Sequence, residues 1–383
     1  MAAGTARTSA RLASARAHSP ATLRRQHRPA AAPRSCGRRR TAAVVAQAQH
    51  ASHVRMFGGL AAETLGSFNS TRRDPSSTPA VKLRVGVLPG NPGVAAYYAD
   101  FAEALQLELG PSAAVCGASF AACALPSLTD SPRAVLGLLG HSRQPLHART
   151  FNLDEQVAHV VRFVDDACAD ADADTPFVLV GHSIGAWLAL QALQKRPERV
   201  QCVAGLFPFL QNNSTSRLQR VLSAAVKLRP LVWLVAQLMS LLALLPARLR
   251  LALLSPVLRS VGGLEEDAVA VTCDWLRAWS VDNTCTLGAA EFAALAGEPD
   301  WAALQQHASR ISLFYGGEED IWGPPFHAAA VRRNAPDVAV LEDDTHGHMF
   351  CVTREGSRYV AAATAGLLRS MLASRAAEPV TAR

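Results

Sequence analysis

The sequence predicts an α/β fold: a mostly parallel sheet with helices on both faces and an apolar helical insertion. Three observations predict it. Short β-branched runs alternate with longer segments of helical periodicity between residues 81 and 372. The short runs are apolar at consecutive positions, as strands buried on both faces are. Roughly a hundred residues between Leu210 and Arg310 carry no clear strand, so they form a helical insertion over the sheet, about 210–310.

Composition agrees. With 383 residues, 49% hydrophobic and 18% charged, the chain can bury a large core and is not a disordered or fibrous protein. Residues 1–50 hold ten of the 38 basic residues and no acid, so the remaining 28 face 31 Asp and Glu. The formal charge of +7 therefore belongs to a leader, and the body offers no footprint for nucleic acid. Rich in Arg, Ala, Ser and Pro, residues 1–50 read as an organelle transit peptide, a plastid one first. Val44-Val45-Ala46-Gln47-Ala48 is a cleavage neighbourhood, and a disordered basic tail is the plainer alternative. One domain then spans 51–383. Of eight cysteines, Cys36 lies in the leader, and none of the other seven forms a C-x-x-C pair, so no zinc site or disulfide framework is readable.

The elements follow in order. Residues 53–68 read as a hairpin around Gly58-Gly59, and residues 69–79 as a polar connector. Residues 81–88 form a buried strand that runs into Pro89-Gly90-Asn91-Pro92-Gly93. Tyr97, Phe101, Leu105 and Leu109 mark a helix, and Leu153, Val157, Val160, Val161 and Val164 mark another over 152–169. Residues 177–180 are a strand that stops at Gly181-His182-Ser183-Ile184-Gly185, and residues 186–193 continue as a helix ended by Arg196-Pro197. Strands at 200–206, 311–315 and 338–341 and a last helix over 358–372 complete the pattern.

Gly181-His182-Ser183-Ile184-Gly185 fits G-x-S-x-G between a buried strand and a helix. That is the context of a nucleophile elbow, where a sharp turn exposes the serine at the carboxyl edge of the sheet. An ordinary strand-to-helix turn is the bland alternative. In α/β-hydrolase order an acid and then a histidine follow the serine. Glu318-Glu319-Asp320 follows the strand at 311–315, and Asp320 is the favoured acid ahead of Glu319 and Glu318. His346 and His348 lie after the final strand, and His348, before Met349-Phe350, is the favoured base. His182 reads as a support of the elbow. The oxyanion hole needs two backbone N–H donors: Ile184, after the nucleophile, and one from the 89–93 loop. Pro89 and Pro92 have no N–H, which leaves Asn91 first and Gly90 next.

Together these residues resemble the lipid droplet-associated hydrolase family. The resemblance rests on Pro89-Gly90-Asn91-Pro92-Gly93 with Tyr97-Tyr98 and Phe101, on Leu153, Gln156 and His159, and on Gly181 to Ala186. It rests further on Leu206-Phe207-Pro208, Asp320-Ile321-Trp322-Gly323-Pro324 and His348-Met349-Phe350. It implies a triad of Ser183, Asp320 and His348, a sterol ester or acylglycerol substrate, and attachment to lipid droplets. Gly323 stands where the family often has Cys, and the basic leader is not a usual feature of it.

Residues 218–258 are the most apolar part of the chain. Residues 231–245 are fifteen positions with only Gln237 and Ser240 polar, bounded by Pro230 and Pro246. About 20 residues are needed to span a bilayer. With Arg248, Arg250 and Arg259 among leucines, the segment can lie in a membrane or droplet interface; a buried cap is the alternative. The expectation is a serine esterase acting on neutral-lipid esters through an acyl-enzyme, with no cofactor and no metal. Transfer of the acyl group to an alcohol, or a droplet-surface protein with a vestigial triad, are the rival expectations.

Overall fold

Buried β-branched runs become the strands of one sheet. The structure is a computed structural model and describes residues 52–57, 59–65, 82–110, 112–115, 135–169 and 175–377. The leader, the connector at 69–79, Cys36, Cys116 and Cys123 lie outside the described residues. The strands are β1 (Ser52–Phe57), β2 (Leu60–Leu65), β3 (Leu83–Leu88), β4 (Ala113–Val115), β5 (Val135–Leu136), β6 (Phe177–His182), β7 (Val200–Leu206), β8 (Ile311–Tyr315) and β9 (Ala339–Glu342). Their order is β1-β2-β5-β3-β6-β7-β8-β9, with β4 also paired to β3.

From β3 to β9 all pairings are parallel. The N-terminal hairpin is antiparallel, and Thr64 and Leu65 pair with Leu136 and Val135 to join it to the sheet. β4 and β5 have three and two residues, too short to show any period in the sequence.

Alternation along the central strands builds two cores. Phe177 and Leu179 of β6 and Val203 of β7 pack with the helices α2 (Leu153–Ala169) and α3 (Ile184–Lys195). Val178 and Val180 of β6, with Cys202 and Ala204 of β7, face the opposite side. There they meet α1 (Ala99–Leu109) and, across the end of the chain, the helix Arg354–Ala377. The five described cysteines are all free.

Between β7 and β8 the chain runs through α4 (Arg217–Lys227), α5 (Arg229–Ala243), α6 (Ala247–Gly262), α7 (Glu266–Trp275), α8 (Ala278–Ala294) and α9 (Trp301–Gln306). After β8 come α10 (Pro325–Asn334) and α11 (Arg354–Ala377). Only Val232 and Ala236 of α5 are buried, while Leu231, Trp233, Leu234, Val235, Leu238 and Leu241 are exposed. Arg248 and Arg259 are exposed as well, but Arg250 turns inward. Its guanidinium donates to the carbonyls of Ala243 and Leu245, groups left without partners at the end of α5. Among the described residues no single helix is long and apolar enough to cross a membrane; α4 and α5 meet that test only as a pair bent by 84°.

Candidate active site

Ser183 stands between β6 and α3 with φ 55° and ψ −123°, a conformation that costs a non-glycine residue energy and that tight packing must hold. Two glycines allow that packing. A Cβ on Gly181 would lie 2.2 Å from the Gly185 carbonyl oxygen, and one on Gly185 would lie 2.5 Å from the carbonyl oxygens of Leu88 and Pro89. The Ser183 N–H donates to the Leu206 carbonyl at 3.0 Å, and its own carbonyl accepts from Ala186 and Phe209. The turn is thereby locked to β7 and to the chain beyond it.

The loop after β3 crosses directly over the elbow. A Cβ on Gly90 would meet the Ser183 Cβ at 2.9 Å and His182 Nδ1 at 3.2 Å. The Gly90 N–H donates to the Tyr98 hydroxyl at 2.9 Å, and that hydroxyl lies 2.5 Å from His182 Nδ1. With its oxygen accepting from Gly90, Tyr98 donates its proton to Nδ1, which places the His182 proton on Nε2. Burial, helped by the charge of His348, pushes His182 well below the ordinary histidine range and keeps it neutral. Its ring packs against Phe207, Phe350 and His348, so it braces the site.

With the Gly90 N–H committed, Asn91 is the remaining loop donor among the two considered. Neither the Asn91 nor the Ile184 backbone N–H finds an acceptor among the described residues.

Asp320 is 4% exposed after β8. Its Oδ1 accepts from the N–H groups of Trp322 at 2.9 Å and Gly323 at 3.2 Å. His348 Nδ1 lies 3.0 Å from Oδ1 and 3.1 Å from Oδ2. Burial opposes the Asp320 charge, but His348 and the two N–H donors outweigh it and hold the carboxyl below its ordinary range. With Nδ1 bound to the acid, Nε2 is the free nitrogen of His348. The His348 ring lies 4.8 Å from that of His182, the neighbour of Ser183, and is tilted 48° to it.

The competing candidates go elsewhere. Glu318 and Glu319 are exposed, and His346 packs on the Tyr359 ring at 4.8 Å. Ser183, Asp320, His348, Asn91 and Ile184 therefore converge on one sheet edge. Among the described residues no cluster of three His, Cys, Asp or Glu side chains is arranged to hold a metal ion.

Two participants escaped the sequence reading. Tyr98, quoted only as part of a resemblance, links the loop to His182. Glu291 of α8 is buried beside Asn91, and its signal was available: it is the only charged residue between Asp282 and Glu298. Aromatic rings close the site from α8, with Phe292 against Trp322 and Trp322 6.2 Å from His348.

Comparison with known proteins gives both family and fold. The profile of a family described as lipid-droplet associated hydrolase matches residues 81–351. The lipid droplet-associated hydrolase of Gallus gallus is 25% identical over 260 residues, covering 67% of this chain and 75% of its own length. Among solved structures, the haloalkane dehalogenase DbeA from Bradyrhizobium elkani superposes with a TM-score of 0.55 at 15% identity, covering 84% of this chain and 99% of its own. A candidate lipase from Acinetobacter baumannii superposes with a TM-score of 0.59 at 12% identity, covering 87% and 97%. These likenesses establish the α/β-hydrolase fold.

Proposed function

Because the chain belongs to the lipid-droplet associated hydrolase family, we propose that it is a serine hydrolase that cleaves carboxylic esters of neutral lipids, sterol esters or acylglycerols, at lipid droplets. The observation that carries this reading is the Asp320–His348 pair, 3.0 Å apart, beside the strained Ser183 turn.

Ser183 Oγ attacks the ester carbonyl while His348 Nε2 takes its proton. Asp320, held by two backbone N–H groups, orients the ring and stabilises the imidazolium. The Asn91 and Ile184 N–H groups receive the oxyanion. His348 then returns the proton to the departing alkoxide, leaving the acyl group on Ser183. Water gives its proton to His348 as it attacks the acyl-enzyme; His348 passes that proton to Ser183 Oγ as the fatty acid leaves, and Ser183 and His348 are restored.

Residues about 218–258 supply the lipid contact. The exposed side chains of α5 form an apolar surface of the kind that marks a docking site. Residues 211–262 also carry seven Lys and Arg and no acid, a charge balance suited to an anionic lipid surface. Residues 1–50 direct the protein to a plastid, a reading tested by fusing them to a fluorescent reporter; cytosolic fluorescence would remove it.

Fluorophosphonate labelling of the purified full chain tests the chemistry. Wild type is expected to label, and Ser183→Ala and His348→Ala to lose labelling together, with kcat down by ~10⁶-fold. Folded wild type that stays unlabelled, in detergent and on lipid emulsion alike, would leave a droplet-surface protein with an inert triad.

A further inference from the structure

Packing forces glycine on the loop at residue 90, because a Cβ there would lie 2.9 Å from the Ser183 Cβ. The loop crosses the elbow at a residue with no side chain to steady it, and glycine is the residue whose backbone turns most freely. The rigid peptide unit that follows carries the Asn91 N–H, so rotation at Gly90 swings that N–H away from Ser183. The unit has to be held from both sides.

Beyond it the loop is held by several bonds. Asn91 Nδ2 donates to the Thr284 carbonyl of α8 at 3.1 Å, and the Gly93 N–H donates to His141 Nδ1 at 3.0 Å. The Gly93 carbonyl accepts from the Leu138 N–H at 3.0 Å. On the near side, the Gly90 N–H donates to the Tyr98 hydroxyl at 2.9 Å. The same oxygen lies 2.5 Å from Nδ1 of His182, the residue before Ser183. One hydroxyl thus joins the loop that carries Asn91 to the turn that carries Ser183 and Ile184.

Tyr98 ends the short turn Ala95–Tyr98 and is 3% exposed. Its ring sits in the core with Phe101, Leu206 and Phe350, where a phenylalanine ring would pack as well. A buried hydroxyl costs free energy unless it is hydrogen-bonded, so this one is sustained by the bonds it makes. Cys351 is a further polar neighbour of it, but a thiol sulfur is a weaker acceptor than an imidazole nitrogen, so the proton goes to His182. The adjacent Tyr97 serves the insertion instead, donating to Thr272 Oγ1 of α7 at 2.7 Å.

We propose that Tyr98 is a positioning residue for the oxyanion hole: its hydroxyl ties Gly90 to His182 and so fixes the Asn91 N–H against the turn that presents Ser183 and the Ile184 N–H. This rests on the oxyanion role proposed above for Asn91 and Ile184.

The test uses full-length wild type, Tyr98→Phe and Tyr97→Phe. The readouts are kcat and KM for p-nitrophenyl butyrate, the inhibition constant of an alkyl trifluoromethyl ketone, and Tm. Ser183 Oγ adds to the ketone carbonyl as its proton passes to His348, which leaves a charged oxygen in the oxyanion hole. Tyr98→Phe keeps the ring and is expected to lose about 10²-fold in kcat with KM changed little. Its affinity for the ketone is expected to fall by a similar factor. Tyr97→Phe also loses one buried hydrogen bond from the same turn, so its Tm is expected to fall to a similar extent, with kcat and ketone affinity kept. Wild-type kcat and ketone affinity in Tyr98→Phe overturn the proposal, and so do equal losses in the two variants, which would mark a role in stability alone.

Hydrogen exchange of ¹⁵N-glycine-labelled protein reads the tie without activity. The Gly90 amide is expected to be protected in wild type and freed in Tyr98→Phe. A freely exchanging Gly90 amide in wild type overturns the proposal, and this measurement decides the matter if Tyr98→Phe fails to fold. A wild type that neither turns over ester nor binds the ketone overturns the oxyanion reading and the positioning role with it; a protected Gly90 amide then shows that the reading failed and not the tie.

Discussion

At the carboxyl edge of the sheet the side chains of His182, Ser183 and Asp320 are each at least nine-tenths buried, whereas in α5 only Val232 and Ala236 are. The edge is polar and dry; α5 is apolar and wet. Each arrangement runs against the usual sorting of residues, and each needs its own compensation. At the edge the compensation is internal: Asp320 accepts from two N–H groups and from His348, and His182 accepts from Tyr98. In α5 nothing within the described residues covers the leucines. The first region finds most of its partners inside the fold, with His182 Nε2 left over, and the second leaves its apolar side chains exposed.

The comparison breaks most sharply if the edge loses one compensating group. Asp320→Asn leaves the shape but removes the charge that orients His348, and kcat is expected to fall by about 10⁴-fold, read in steady-state ester hydrolysis. The same variant alters acid stability. The fold lowers the Asp320 value below the ordinary 3.8, so its carboxylate stabilises the protein above that pH. Wild type loses this contribution as pH falls through the folded value, and Asp320→Asn has no such contribution to lose. Thermal melts at pH 3 and pH 6 measure the difference.

A smaller effect comes from geometry alone. In Gly185→Ala the new methyl group must displace the Leu88 and Pro89 carbonyls, which carry the oxyanion loop. Overpacking of this kind costs about 1–3 kcal/mol, read as a lower Tm. A displaced donor lowers kcat by about 10²-fold.

The helical layer is probed by association with phosphatidylcholine–phosphatidylserine vesicles in a flotation assay. Trp233→Ser and Leu234→Ser each remove an exposed apolar side chain. Burying such a side chain in lipid is worth about 1.5–3 kcal/mol, so each is expected to weaken association by tenfold or more. Leu107→Ser is the control, because Leu107 is equally exposed but lies on α1, away from the apolar layer. It is expected to change neither association nor stability beyond about 0.5 kcal/mol. Equal losses from Leu107→Ser and Trp233→Ser would mean that α5 is ordinary surface.

The strands and the elbow were legible because their signals are local. Consecutive apolar residues at 177–180 ending in Gly181 and resuming as a helix after Gly185 state a strand, a sharp turn and a helix within seventeen positions. The order of Ser183, Asp320 and His348 follows from where each stands after its strand. β4 and β5 were illegible because strands of three and two residues carry no periodicity and exist only through their pairing, β4 with β3 and β5 with β3 and β2.

Choices between near neighbours belonged to the tertiary structure. Asp320 differs from Glu319, and His348 from His346, only in which side chain the turn sends inward, a matter of packing that no sequence spacing expresses. The same holds for Arg250, which reads like Arg248 and Arg259 but turns in to the end of α5. Glu291 stands 200 residues from Asn91 in the chain, and nothing in either segment announces the other. Local pattern determines which elements form and where the chain turns, because propensity and periodicity act over a few residues. Partners across the molecule are decided only when burial removes water and every polar group must find another inside the fold.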